Sequence, residues 1–446
     1  MCCFNKRTKH RDTLILTFRS CGGMAPDTDI PYRSPTAHIP PELIPSILQY
    51  VAPTHSFPSL LPQEAFADGS LWQQYRYDLH AFTQFTLVCR TWHTFSREIM
   101  FHTLVVSWFD ESILRLHLAL RQFGPLSRVM LIFSTDASGT MGTLSRSDFC
   151  AALEGCFRSM PQITKVEFHG ILEKIFCHTA SVEAGHFELL SVRSLTLGGS
   201  VGNSGKFLLH ALARAAASLE TLEMMYFENW PSGYRLPDPL GKLRSLILRR
   251  TYLSIQGIID LLSGHGQDGN RRMVLRKLVI IPSHLQTIPP DITPLLMFGS
   301  IGDHLRFLMI HKLDPFQSLA CCPALETFIY ISPSSSNIFP FLPRTLRRLA
   351  ISEVLLSPTD RFVAYITSEN AQNLVRLAVT LTNDTGSALT AAIEPFTSVT
   401  ETCKNVGVSL TYVVPGKLKL SLEGWDDAAE LFQTVESLPK ARLRIT

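Results

Sequence analysis

Two hydrophobic periods divide the chain. Between residues 39 and 103 apolar positions recur at helical spacing. Ile39-Pro40-Pro41-Glu42-Leu43 leads into Ile44, Ile47, Leu48 and Val51, which share one helical face. Pro41 suits a first helical turn, where its missing N–H is not needed. Residues 53–77 hold Pro53, Pro58, Pro62 and Gly69 and are predicted as a long loop. Asp78 is placed to cap a second helix carrying Leu79, Phe82 and Phe85, followed by Leu87 and Val88. Trp92, Phe95 and Ile99 continue at helical spacing, and Leu104-Val105-Val106 reads as a strand.

From about residue 125 the period changes to L-x-x-L-x-L. Units begin at Leu126, Ile163, Val192, Leu219, Leu243, Leu275, Leu305, Leu325, Leu346 and Leu374. The starts are 37, 29, 27, 24, 32, 30, 20, 21 and 28 residues apart, mostly in or near the period of about 20–29 residues of leucine-rich repeats. Each unit supplies one short strand whose alternate side chains point inward. One unit cannot bury that face alone, so the units stack around a shared core. Helical stretches such as Phe207–Ala217 and Ile255–Leu262 fall between strands. Regular repeats place Asn or Cys three residues past the third apolar position. Here five of those positions are Ser or Thr and none is Asn or Cys, which predicts an irregular array. The expected fold class is therefore an α/β repeat: a helical head over 38–103, then an irregular solenoid over 104–446. Beyond about 383 the motif fades; that segment reads as a helix over Ala388–Ile393, strands over Val408–Val414 and Lys417–Leu422 and a helix over Ala428–Val435, and is expected to cap the array. Residues 1–37 show no period and are expected to form a flexible tail.

Composition narrows the function classes. The chain has 446 residues, 46% hydrophobic, with 41 Lys and Arg against 38 Asp and Glu. A net charge of +3 lacks the concentrated basic face that nucleic-acid binding requires. No apolar run approaches a membrane span of about 18 residues, and Leu14–Phe18 is too short for a signal-peptide core. Ten scattered cysteines form no C-x-x-C pair and no zinc spacing with His, so neither a metal nor a cofactor is expected. These features point to a cytoplasmic or nuclear chain with reduced thiols. Gly198-Gly199-Ser200-Val201-Gly202 fits the G-x-S-x-G elbow of serine hydrolases, with His304 or His311 as partner. The loop runs on through Asn203, Ser204 and Gly205, where the elbow needs an immediate helix, so no catalytic residue is expected.

Ile39-Pro40-Pro41-Glu42-Leu43 with Ile47 and Leu48, then Asp78-Leu79, then Leu87-Val88-Cys89-Arg90-Thr91-Trp92, together resemble an F-box. The whole chain resembles F-box proteins of the leucine-rich-repeat type. That resemblance implies a non-enzymatic substrate receptor of an SCF-type ubiquitin ligase, with a Skp-family adaptor and a cullin as partners. Ile39, Pro40, Glu42, Leu43, Ile47, Leu48, Leu79, Leu87, Val88 and Trp92 would form the adaptor-docking and head-packing surface. The alternative is a repeat scaffold with no ubiquitin link. Side chains between the apolar repeat positions point away from the core and line the sheet surface that such arrays use for binding. In the second half these include Arg249, Lys277, Phe307, Met309, His311, Arg348 and Arg376, which suits an acidic or phosphorylated protein segment with an apolar residue against Phe307.

Overall fold

The computed structural model describes residues 41–50, 70–107, 110–133, 144–169, 189–198, 212–225, 236, 240–251, 253–263, 273–282, 291–311, 318–331, 337–356, 359–381 and 396–413. Two compact units meet in the sequence between His102 and Thr103.

In the first unit a 3₁₀ turn, Pro41–Leu43, leads into α1 (Ile44–Tyr50). Helix α2 (Ser70–Thr83) passes through a 3₁₀ turn, Gln84–Leu87, to α3 (Arg90–His102). Helix α2 starts eight residues before the expected Asp78 cap. The last breaker is Gly69, and the stretch after it is free of Gly and Pro, so the helix extends back and Asp78 lies inside it. Ile44, Leu48, Phe82 and Trp92 form the buried centre, with Ile47, Phe85, Phe95, Ile99 and Met100 packed around it. The Phe85 and Trp92 rings stack at 5.6 Å. Three helices close around three aromatic rings, Phe82 meeting Phe85 edge-on at 5.6 Å.

The second unit is built on one parallel sheet of twelve strands in sequential order. The strands are β1 (Thr103–Ser107), β2 (Val129–Phe133), β3 (Lys165–His169), β4 (Ser194–Gly198), β5 (Thr221–Met225) and β6 (Ser245–Thr251). They continue as β7 (Lys277–Pro282), β8 (Phe307–His311), β9 (Thr327–Ile331), β10 (Arg348–Ser352), β11 (Arg376–Thr380) and β12 (Ser409–Val413). Helices return the chain between strands, among them Ser112–Phe123, Arg146–Ser159, Ile255–Ser263 and Thr359–Ile366. This is an α/β solenoid-like arrangement. Its core row runs through pairs such as Val166/Phe168, Leu246/Leu248, Leu308/Ile310 and Leu349/Ile351, all essentially buried.

Ahead of the strands, main-chain hydrogen bonds tie successive repeats together. The carbonyls ahead of β2 to β10 each accept two N–H groups from the next repeat. Arg128 O accepts from Thr164 and Lys165 at 2.8 and 3.0 Å, and Arg244 O from Arg276 and Lys277 at 2.7 and 2.9 Å. The same ladder reaches Arg347 O, which accepts from Val375 and Arg376. Backbone groups at the strand starts are thus paired from repeat to repeat.

Two expectations are corrected. The unit assigned to Leu126, Val129 and Leu131 is one residue out of register. Met130 and Ile132 pair with Leu104 and Val106 of β1 and face the core, while Leu131 is half-exposed. Val129–Phe133 is apolar throughout, so alternation does not set its register and the neighbouring strands do. Met130→Ala is therefore expected to cost about 2–5 kcal/mol and Leu131→Ala clearly less, measured by urea denaturation. The motif also continues past residue 383: Leu410 and Tyr412 of β12 pair with Leu377 and Val379. Gly407 holds the first apolar place of that unit, at a left-handed φ of 78°. The expected elements at Ala388–Ile393, Lys417–Leu422 and Ala428–Val435, and residues 1–37, lie outside the described residues.

Candidate functional site

The head motif divides by burial. Leu48 and Trp92 are core, while Ile47 and Leu79 are half-buried. Glu42 is exposed, and so are three apolar side chains: Leu43 at 52%, Leu87 at 77% and Val88 at 47%. Ile39 and Pro40 lie outside the described residues. A packed centre thus leaves three apolar side chains of the same motif in water.

On the sheet, the side chains that face away from the helix-covered core form three rows across the strands. The row at the strand starts carries Lys277, Phe307, Thr327, Arg348 and Arg376 in register. The middle row is apolar from Ile247 through Val279, Met309, Ile329, Ala350 and Ala378. The third row includes Arg249 and Ile281, with His311 opposite Ile331.

The seven expected binding residues do share this face, but they differ in accessibility. Lys277, Arg348 and Arg376 are half-buried and form a cationic rim. Lys277 Nζ sits 4.8 Å from the Phe307 ring centroid, a cation–π contact. Arg348 Nε donates to Thr327 Oγ1 at 2.9 Å. Phe307, Met309 and His311 are buried, so the anchor expected from Phe307 and Met309 is floor rather than open surface. Arg249 is buried as well. Its Nε lies 2.9 Å from Glu223 Oε1. It sits on a bulge where Arg250 has φ 50° and β6 spends two residues against one of β7.

A second charged group lies on the same face of β3. Glu167 is 3% exposed; it accepts from Lys165 at 2.6 Å and is hydrogen-bonded to the His169 ring at 2.8 Å. Burial pushes its carboxyl up, but the His169 hydrogen bond and the charges of His169 and Lys165 outweigh burial and hold it below its ordinary value. A depressed carboxyl stabilises the fold above its unfolded pKa, and that contribution is lost as pH falls through the folded value. Glu167→Gln should lower the melting temperature near neutral pH, with the gap closing below about pH 4. Thermal melts from pH 7 to pH 3 check this; a gap independent of pH would show that the carboxylate contributes no charge-dependent stability.

Ser200 lies outside the described residues. No group of three or more His, Cys, Asp or Glu among the described residues is arranged to hold a metal ion. No helix among them is long and apolar enough to cross a membrane. Six described cysteines are free thiols, and burial pushes those of Cys156 and Cys322 up to about 12. No family model matches this sequence, and no curated protein matches it.

The apolar middle row was the feature hardest to anticipate as a unit. Its signal is present in Leu278-Val279-Ile280-Ile281, Phe307–Ile310 and Phe328–Ile331, where both alternating sets are apolar. Such runs mark strands covered on both faces.

Proposed function

We propose that this chain is a substrate receptor of the F-box and leucine-rich-repeat type. Its head would dock a Skp-family adaptor of a cullin-based ubiquitin ligase, and its repeats would hold a protein to be ubiquitinated. The observation that carries the reading is the division of the head motif. Leu43, Leu87 and Val88 are exposed apolar residues, while Leu48 and Trp92 of the same motif form the core beneath them. Exposed apolar side chains drawn from one motif favour an interaction at those positions. Such a receptor performs no bond chemistry. It raises the effective concentration of one protein beside the enzyme that modifies it.

The rim of Lys277, Arg348 and Arg376 favours an acidic or phosphorylated partner segment. Arg348 and Arg376 are register neighbours on adjacent strands. Reconstitution tests the function. Adaptor, cullin and conjugating enzymes are combined with the chain and with proteins captured on its repeats. Ubiquitin transfer should require the chain and disappear with Leu87→Asp. Transfer at the same rate without the chain would reject the receptor role.

A further inference from the structure

The residue whose carbonyl anchors the main-chain ladder stands just ahead of its strand. Its neighbours along that row are one strand spacing away, about 4.8 Å. From β4 to β10 the row reads Arg193, Glu220, Arg244, Arg276, Arg306, Glu326 and Arg347. Arg276 N donates to Arg244 O at 2.7 Å, and Arg306 N donates to Arg276 O at 2.9 Å. Three arginines are thereby fixed side by side at the starts of β6, β7 and β8, and all three are exposed.

Ion pairing divides the row. Arg193 meets Glu220 at 3.8 Å, and Arg306 meets Glu326 at 3.3 Å. Between these pairs, Arg244 and Arg276 make no side-chain hydrogen bond or ion pair among the described residues. Lys277 follows Arg276 and adds to the positive field at β7. The alternation of sign that neutralises the row on both sides is missing in its middle.

The chemistry of this patch selects its partner. Arginine forks bind carboxylates or phosphates in a bidentate manner, and arginine clusters recognise acidic motifs in proteins. The three arginines cover about 10 Å from β6 to β8, which is about three residues of extended chain. Cations spread over that distance suit several anionic groups in a row rather than one. Glu220 and Glu326 close the patch on either side. A polynucleotide carries evenly repeated charge and would run on over both glutamates. The row also holds no aromatic side chain on which a base could stack. A protein segment whose acidic run is short fits between the two glutamates.

We propose that Arg244, Arg276 and Arg306 hold a short run of Asp or Glu in a partner protein, laid across the starts of β6–β8. The site is open in its own right and does not depend on what lies over the middle row of the sheet. That the segment belongs to a protein to be ubiquitinated rests on the receptor reading; the binding itself does not.

The test is an anisotropy titration of the full-length chain with a labelled Gly/Ser peptide carrying four central glutamates. The peptide should bind wild type, more weakly as salt is raised. Arg244→Glu with Arg276→Glu should reduce the affinity at least tenfold at an unchanged melting temperature, because neither side chain has a partner to lose. Arg276→Gln should act in the same direction without a reversal of charge. Arg115→Glu with Arg121→Glu changes net charge equally at exposed positions of the helix Ser112–Phe123 and should leave binding as it is. No binding to wild type, or equal losses in the two charge-reversed variants, would overturn the proposal. An oligothymidylate of equal charge that binds wild type more tightly than the peptide would overturn the partner class. The assay contains neither adaptor nor ubiquitin, so it stands or falls apart from the receptor reading.

Discussion

Arg249→Glu is expected to destabilise the middle of the repeat array severely. The arginine is 4% exposed and its guanidinium meets Glu223 at 2.9 Å. Removing one partner of a buried pair costs about 3–5 kcal/mol because the other charge is stranded. Reversal adds a second carboxylate beside Glu223. Against a domain stability of about 5–15 kcal/mol that is a large share. The strand carries the bulge at Arg250 and has little freedom to swing either group into water. Arg249→Met combined with Glu223→Leu should recover much of the loss, since apolar replacements of similar size often match a buried ion pair. Urea denaturation followed by circular dichroism gives the ordering: wild type and double variant close together, Arg249→Glu far below. If the reversed variant melts with wild type, the pair is not buried as described. Charge reversal aimed at partner binding therefore belongs at Lys277, Arg348 and Arg376, which are half-buried on the rim.

Trp92→Ala is expected to unfold the head. The indole is 7% exposed, stacks on Phe85 and packs with Ile44, Leu48 and Phe82. Truncating a buried aromatic costs about 3–5 kcal/mol, and a unit of three short helices has few other large side chains to compensate. Leu87→Asp should leave the melting temperature almost unchanged, because its side chain is 77% exposed. The two substitutions fall within one sequence motif, yet one should abolish the fold and the other only an interaction. Limited proteolysis of residues 41–102 distinguishes them: rapid cleavage for Trp92→Ala, wild-type resistance for Leu87→Asp. Equal resistance would mean that Trp92 is not the centre of the head.

The sheet was legible because its information is repeated. Each L-x-x-L-x-L unit specifies a strand, and the strands described match nearly all those units. Register failed only at Val129–Phe133, where five apolar residues in a row carry no alternation. The twelfth strand was legible as a strand over Val408–Val414 but not as a repeat unit, because Gly407 stands where the motif expects an apolar residue. In the head, the residues of the core and of the exposed apolar set both appear in the pattern, but a helical period does not say which of them meets water. Leu48 and Leu87 look alike in sequence and differ entirely in burial. For the sheet face, the positions of Lys277, Arg348 and Arg376 followed from strand alternation. The burial of Phe307, Met309 and His311 did not, because alternation reports which side a residue takes and not what lies over it. The Glu223–Arg249 pair joins neighbouring repeats 26 residues apart and leaves no local trace.

The receptor reading stands on one contact: the head with a Skp-family adaptor. Isothermal titration of purified adaptor into the full-length chain measures it directly. The account predicts one adaptor bound per chain, with affinity reduced at least a hundredfold by Leu43→Asp with Leu87→Asp while the melting temperature holds. Absence of binding to the wild-type chain, or identical binding by the double variant, would contradict it.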